Sequence, residues 1–176
     1  MNTRVLFARD FDKSSKRYNR VHNWSNKYNF IAVNETHGTV NRAAAFDSDF
    51  KHCRSWWSHE SKQAGGLGIV VNKTFLQQFD MEPTWTIIHE ARCGRLRLEG
   101  KLGRLDFYVC YLNSSDVNCR KITRDKIACN MSSSTRSLSI IYGDSNFVND
   151  PHDRWNTSST GFSGNKDKVE NKQFED

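Results

Sequence analysis

The chain has 176 residues, room for one domain with a substantial hydrophobic core and not for a second of ordinary size. Apolar residues make up 36%, below the usual share, but a 12% aromatic fraction with 5 Trp and 11 Phe excludes a disordered composition. A net charge of +6 and a pI near 9.1 favour a polyanionic partner, because Lys and Arg that neutralise phosphates gain affinity by releasing counterions.

Residues 3–8 are predicted to form a first strand. The spacing of Tyr18, Val21, Trp24 and Tyr28 predicts a helix over 13–28, with Ser14 or Ser15 as its cap. Lys16, Arg17, Arg20 and Lys27 fall on its other face, which reads either as a solvated surface or as a phosphate clamp. Residues 30–33 are apolar at nearly every position, the pattern of a strand buried on both sides. A loop and a short helix over 43–50 follow. From there the pattern turns β-rich, with strands expected over 55–58, 67–71, 85–88, 92–98 and 105–111. Leu96 and Leu98 alternate with Arg95, Arg97 and Glu99, while Leu105, Phe107, Val109 and Tyr111 alternate with Asp106 and Tyr108. With Gly100 and Gly103 supplying a turn between them, this is a hairpin signal. A helix is expected over 117–129 and a last strand over 138–142, and residues 148–176 read mostly as loop. Paired strands with helices outside them fit an α/β (α+β) fold, a two-sheet β-sandwich flanked by helices.

The five cysteines, Cys53, Cys93, Cys110, Cys119 and Cys129, include no C-x-x-C pair and no His at zinc-ligand spacing. They are expected to act as small apolar side chains in a reduced, intracellular protein. No apolar stretch approaches the ~20 residues of a membrane span, and the N-terminus leads into no signal-type apolar core. A soluble protein is expected, without membrane contact, and nothing points to a protein partner.

The chemistry is concentrated at two strand ends. Residues 139–147, SIIYGDSNF, run an apolar strand into Asp144 and Asn146; Gly143 before them permits an unusual backbone that would aim the acid and the amide into a cleft. Upstream, FIAVNETH delivers Glu35 in the same way. Phosphodiester hydrolysis needs a cation on the phosphoryl oxygens, an aligned water and help for the leaving oxygen. Mg²⁺ takes hard oxygen ligands and few protein carboxylates, so Glu35, Asp144 and Asn146 make a suitable inventory, with Mn²⁺ as the alternative ion. A surface loop that happens to start with an acid would look the same at Glu35 alone.

Together these segments resemble the endonuclease/exonuclease/phosphatase (DNase I-like) superfamily. FIAVNETH is similar to its I-x-x-L-Q-E-T-H strand, and GGLGIVVN to its G-G-V-A-I strand. RLRLEGKLGRLDFYVCYLNS is similar to its hairpin ending in V-Y-x-P, and IIYGDSNFV to its G-D-F-N strand. The run GDSNFVNDPHDRW, followed by a Gly/Ser stretch, further resembles endonuclease domains of non-LTR retrotransposons. The resemblance implies a DNA substrate, action in the nucleus if that DNA is genomic, and a divalent metal at Glu35. It gives Asp144 the attacking water and Asn146 the phosphate. Tyr111 would approach the phosphate or leaving group, or is simply a core aromatic on an alternating strand. His37 would touch the phosphate backbone, or is a loop histidine.

The departures are specific. The family's first strand ends in Asn near the metal, where this chain has Phe7-Ala8-Arg9-Asp10 and only Asp10 to substitute. Asn34 replaces the usual Gln, and Ser145 an apolar residue. No strand ending Ser-Asp-His follows, and His152 and Asp153, in a polar loop, read as turn residues. The expectation is one domain over 1–176 that lacks the family's C-terminal strands and is inactive or impaired. Two other readings stand beside it: a phosphatase on inositol phospholipids or another small phosphoester, and a catalytically dead nucleic-acid-binding module.

Overall fold

The computed structural model describes residues 6–7, 11–59, 66–113, 116–145, 155–156 and 161–162, with 11–15 and the last two pairs described by backbone alone. The chain divides into two compact units, Met1–Asp144 and Ser145–Asp176. In the second, β8 (Trp155–Asn156) and β9 (Gly161–Phe162) pair antiparallel.

The first unit is layered. One sheet holds β1 (Phe30–Asn34), β3 (Leu67–Asn72) and β2 (Cys53–Ser58), in the order β1-β3-β2 and antiparallel throughout. The other holds β4 (Thr84–His89), β5 (Cys93–Gly100), β6 (Gly103–Tyr111) and β7 (Ser137–Asp144) in sequence order. Here β6 and β7 are parallel and are joined through α4 (Val117–Asn130), the crossover that a parallel pair requires. Between the sheets Ala32, Leu67, Ile69 and Val71 meet Leu96, Leu98, Phe107 and Val109. Full burial of each such Leu, Ile, Val or Phe stabilises the fold by about 1.5–3 kcal/mol.

Helices cover the outer faces. The helices α1 (Phe11–Ser25) and α2 (Val40–Asp49) pack Val21 and Phe46, with Phe50 just beyond, on Ile31, Val33 and Val70. Strand β1 is therefore buried on both sides, as its unbroken apolar run predicts. On the other sheet, Ile127 of α4 covers Cys93, Tyr108 and Cys110. Asp116 caps α4 by accepting from the Cys119 amide at 2.9 Å. A short helix, α3 (Lys73–Leu76), is capped by Asn72, which accepts from the Thr74 amide at 2.8 Å.

Several expectations are corrected. Helix α1 begins at Phe11, so Ser14 and Ser15 lie inside it and do not cap it. Of the strand expected over 3–8, Leu6 and Phe7 alone are described, and they form a buried turn. Alternation along β6 holds in direction, with Phe107 and Val109 facing the sandwich, but Asp106 and Tyr108 between them are also fully buried, Tyr108 beneath Ile127 of α4. Asp106 is sustained there by two bonds from Arg97, Nε at 2.8 Å and Nη2 at 3.0 Å. The Tyr108 hydroxyl donates to the Asn130 carbonyl at 2.7 Å. Cys129 is exposed rather than packed as a small apolar side chain.

The hairpin turn falls at Lys101-Leu102 as expected, and Gly103 adopts φ 139°, a conformation that side chains resist. Gly143 is required for a different reason from the one its sequence context suggests. Its φ is not among the positive values; instead, a Cβ there would lie 1.9 Å from the Cys110 carbonyl oxygen. The absent side chain lets β7 lie close against β6.

Candidate functional site

Tyr111 and Asp144 are the last residues of β6 and β7, and they are partners in the parallel register. The Leu112 amide donates to the Asp144 carbonyl at 2.9 Å. Tyr111 continues the inward-facing set of Phe107 and Val109, so its ring reaches across the end of the sandwich. There its hydroxyl donates to Glu35 Oε1 at 2.6 Å. Glu35 directly follows β1 of the opposite sheet, so this contact between residues 76 positions apart closes one mouth of the two-sheet core.

The Glu35 backbone is held away from ordinary strand geometry. Glu35 has φ 55° and His37 φ 50°, left-handed values that cost a non-glycine residue about 1–3 kcal/mol. Such conformations persist when their surroundings over-determine them. Thr36 between them is fully buried, its amide donating to the Gly66 carbonyl at 3.3 Å and its carbonyl accepting from the Phe7 amide at 3.0 Å. The chain is thus pinned at the residue directly after Glu35.

Sequence reasoning missed Arg92. It lies one residue before β5, opposite Tyr111, whose amide donates to the Arg92 carbonyl at 2.8 Å. Its guanidinium sits over the Tyr111 ring, 5.4 Å from the centroid. A lone Arg at a strand start carries no signal in the sequence; only the register with Tyr111 makes it part of the site. Ala91 before it takes φ 51° and donates its amide to Ser58 Oγ at 3.0 Å, which ties this turn to the other sheet.

Burial pushes the Tyr111 phenol up to about 12, helped by the hydrogen bond to Glu35 and by the negative charges of Glu35 and Asp144, with Arg92 opposing. At neutral pH the hydroxyl therefore stays protonated. It can donate to a carboxylate or to an oxygen that carries developing charge.

Of the residues singled out by sequence, Glu35, Tyr111 and Asp144 come together. His37, two residues beyond Glu35, is half-buried and is not joined to the Glu35–Tyr111–Arg92 group. Asn146, Asp10, His152 and Asp153 lie outside the described residues. A polar cleft of about 460 Å³ lined by Asp80, Glu99, Lys101, Arg104 and Arg136 lies at the other end of β5 and β6. Two of its cations are already engaged, Arg104 with Glu99 at 2.5 Å and Arg136 with the Lys101 carbonyl at 2.6 Å.

Among the described residues, no group of three or more His, Cys, Asp or Glu is placed to hold a metal ion, and no helix is long and apolar enough to cross a membrane. The donor set still suits Mg²⁺, which takes one or two carboxylates and keeps several of its waters. Glu35 and Asp144 supply two, both acting on one phenol.

No protein-family model and no curated protein matches the chain. Solved structures do. The 3′ phosphatase NExo from Neisseria, bound to product DNA hairpin, matches over 99% of this chain and 66% of its own, with TM-score 0.63 and 14% identity. An AP endonuclease from Archaeoglobus fulgidus matches over 85% and 57%, with TM-score 0.58 and 16% identity. An endonuclease/exonuclease/phosphatase family protein from Bacteroides thetaiotaomicron matches over 82% and 61%, with TM-score 0.57 and 14% identity. The fold is therefore the DNase I-like α/β sandwich, and the chain spans about three fifths of the length of the solved structures it matches.

Proposed function

We propose that this chain carries the phosphodiester-hydrolysing site of a divalent-metal-dependent DNA endonuclease of retroelement type. One observation carries the reading: the Tyr111 hydroxyl bridges to Glu35 at 2.6 Å across the end of the sandwich, with Asp144 beside it in register. An acid from each sheet and a protonated phenol at one mouth are the groups that phosphoester cleavage asks for.

Glu35 and Asp144 would hold Mg²⁺ or Mn²⁺, and the ion when bound neutralises charge on the phosphoryl oxygens. Asp144 orients the attacking water and accepts its proton, and Asn146 donates to the phosphate. Tyr111 donates its hydroxyl hydrogen toward the phosphate or the leaving oxygen, and Arg92 beside it adds positive charge on the same side. The net charge of +6 supports a DNA backbone as substrate, and the segment GDSNFVNDPHDRW supports the retroelement type. Cleavage of genomic DNA would take place in the nucleus.

The test is nicking of supercoiled plasmid by residues 1–176 with Mg²⁺. Slow, EDTA-sensitive nicking that falls at least ~10²-fold in Glu35→Ala and Asp144→Ala supports the reading. Nicking that survives both substitutions overturns it, and salt-sensitive DNA binding with neither nicking nor Mg²⁺ binding at Glu35 leaves a binding module. The fold likeness to a 3′ phosphatase supports a second reading, phosphomonoester hydrolysis. Release of phosphate from a 3′-phosphorylated hairpin, without nicking, would favour it.

A further inference from the structure

Behind the candidate site, on the α4 side of the sheet, Cys93 and Cys110 face each other across β5 and β6 with their sulfurs 3.4 Å apart. Both are free thiols and both are buried. The adjacent pair, Arg92 and Tyr111, is hydrogen-bonded through the Tyr111 amide, so Cys93 and Cys110 occupy the next, non-hydrogen-bonded position of the antiparallel ladder. Cα atoms at such positions lie ~4.5 Å apart, at the short end of the range a disulfide spans.

We propose that Cys93 and Cys110 are a modification site, closing to a reversible intramolecular disulfide when the protein meets a peroxide. One sulfur attacks a peroxide oxygen, the O–O bond breaks, and the thiol proton leaves with the departing oxygen as water. This forms a sulfenic acid. The second thiol then attacks that sulfur, the S–S bond forms, the S–O bond breaks, and a second water departs. Two electrons pass from the sulfur pair to the peroxide. The sulfurs need to close only from 3.4 Å to about 2 Å, which side-chain rotation supplies without a register change.

Rate and place follow from the surroundings. The contact with Cys93 and burial push the Cys110 thiol up, so it is protonated at neutral pH and reacts during local openings rather than at once. The bridge would clamp the strand ends that carry Arg92 and Tyr111. Cys110 also touches the other half of the site, since its carbonyl lies against Gly143, the residue before Asp144.

The test treats the folded chain with graded hydrogen peroxide, removes the peroxide, and alkylates under denaturing conditions. Mass spectrometry is expected to show two fewer maleimide adducts than in the reduced chain. A non-reducing peptide map should link Cys93 to Cys110, and dithiothreitol should restore both adducts. A variant with Cys53, Cys119 and Cys129 all changed to Ser is expected to behave in the same way. Peroxide that oxidises exposed Cys129 yet leaves Cys93 and Cys110 alkylatable overturns the proposal, as does conversion of either to sulfinic acid, or a bridge to another cysteine. Exchange of the Tyr111 amide hydrogen should slow at least tenfold in the bridged form, and unchanged exchange would sever the link to the site.

Discussion

Tyr111 and Asp144 end neighbouring parallel strands as register partners, yet they reached that position through a helical crossover, and the Leu112 amide locks the pair by donating to the Asp144 carbonyl at 2.9 Å. Glu35 meets them from the other sheet through the Tyr111 hydroxyl. Three separated segments thus share one phenol, and its state is measurable.

Titration of the tyrosines by ultraviolet absorbance is expected to show one phenol ionising near 12 that is missing in Tyr111→Phe and shifts downward in Glu35→Gln. Because the folded value is raised, the phenol's contribution to stability is complete below its ordinary value near 10 and is lost as pH rises through about 12. A titration curve unaltered by both substitutions would contradict the contact.

Asp106→Ala is expected to lower unfolding stability by about 3 kcal/mol, read from the urea midpoint, since it strands the Arg97 guanidinium without its buried partner. Replacing both partners, Arg97→Met with Asp106→Leu, should cost much less, because no charge is then left uncompensated. Equal losses in the two variants would show that shape rather than charge governs the position.

Gly143→Ala should destabilise the chain by about 1–3 kcal/mol, because its methyl would meet the Cys110 carbonyl at 1.9 Å and β7 would have to move. The same variant is expected to weaken Mg²⁺ binding by moving Asp144. Stability and binding both at parent levels would refute the close approach.

Calorimetry with Mg²⁺ or Mn²⁺ should detect weak binding that falls at least tenfold in Glu35→Ala, while zinc should find no dedicated site. Tight zinc binding retained in Glu35→Ala would refute the assignment.

Binding to duplex DNA is expected to fall about tenfold or more between low and physiological salt, as counterion release requires of a chain with net charge +6. Affinity indifferent to salt would remove the electrostatic argument.

Much of this architecture was legible in local pattern. The unbroken apolar run at residues 30–33 announced a strand covered on both faces, and the alternation through Leu96, Leu98, Phe107 and Val109 announced the hairpin whose inner face fills the sandwich. Asp106 and Tyr108 look like solvent-facing partners of that alternation because a strand's own sequence says nothing about a helix laid over its other side. Their burial depends on Arg97 and on the Asn130 carbonyl, supplied by a neighbouring strand and by α4. Glu35, Tyr111 and Asp144 were singled out through motif likeness, whereas Arg92 was not, since only its cross-strand pairing distinguishes it from any other Arg. The early start of α1 was hidden by two serines that favour caps but tolerate a helix interior.

Strand β7 is the last strand of its four-stranded sheet, paired there with β6, and Leu138 and Ile141 on it are 61% and 51% exposed. An outer strand so thinly covered opens more often than the layers between the sheets, where Phe107 and Val109 lie. Local opening of β7 would carry Asp144 away while leaving Glu35 bonded to Tyr111. For the proposed hydrolysis, competence would then depend on how long one strand remains seated, a kinetic quantity that can change manyfold with no loss of global fold.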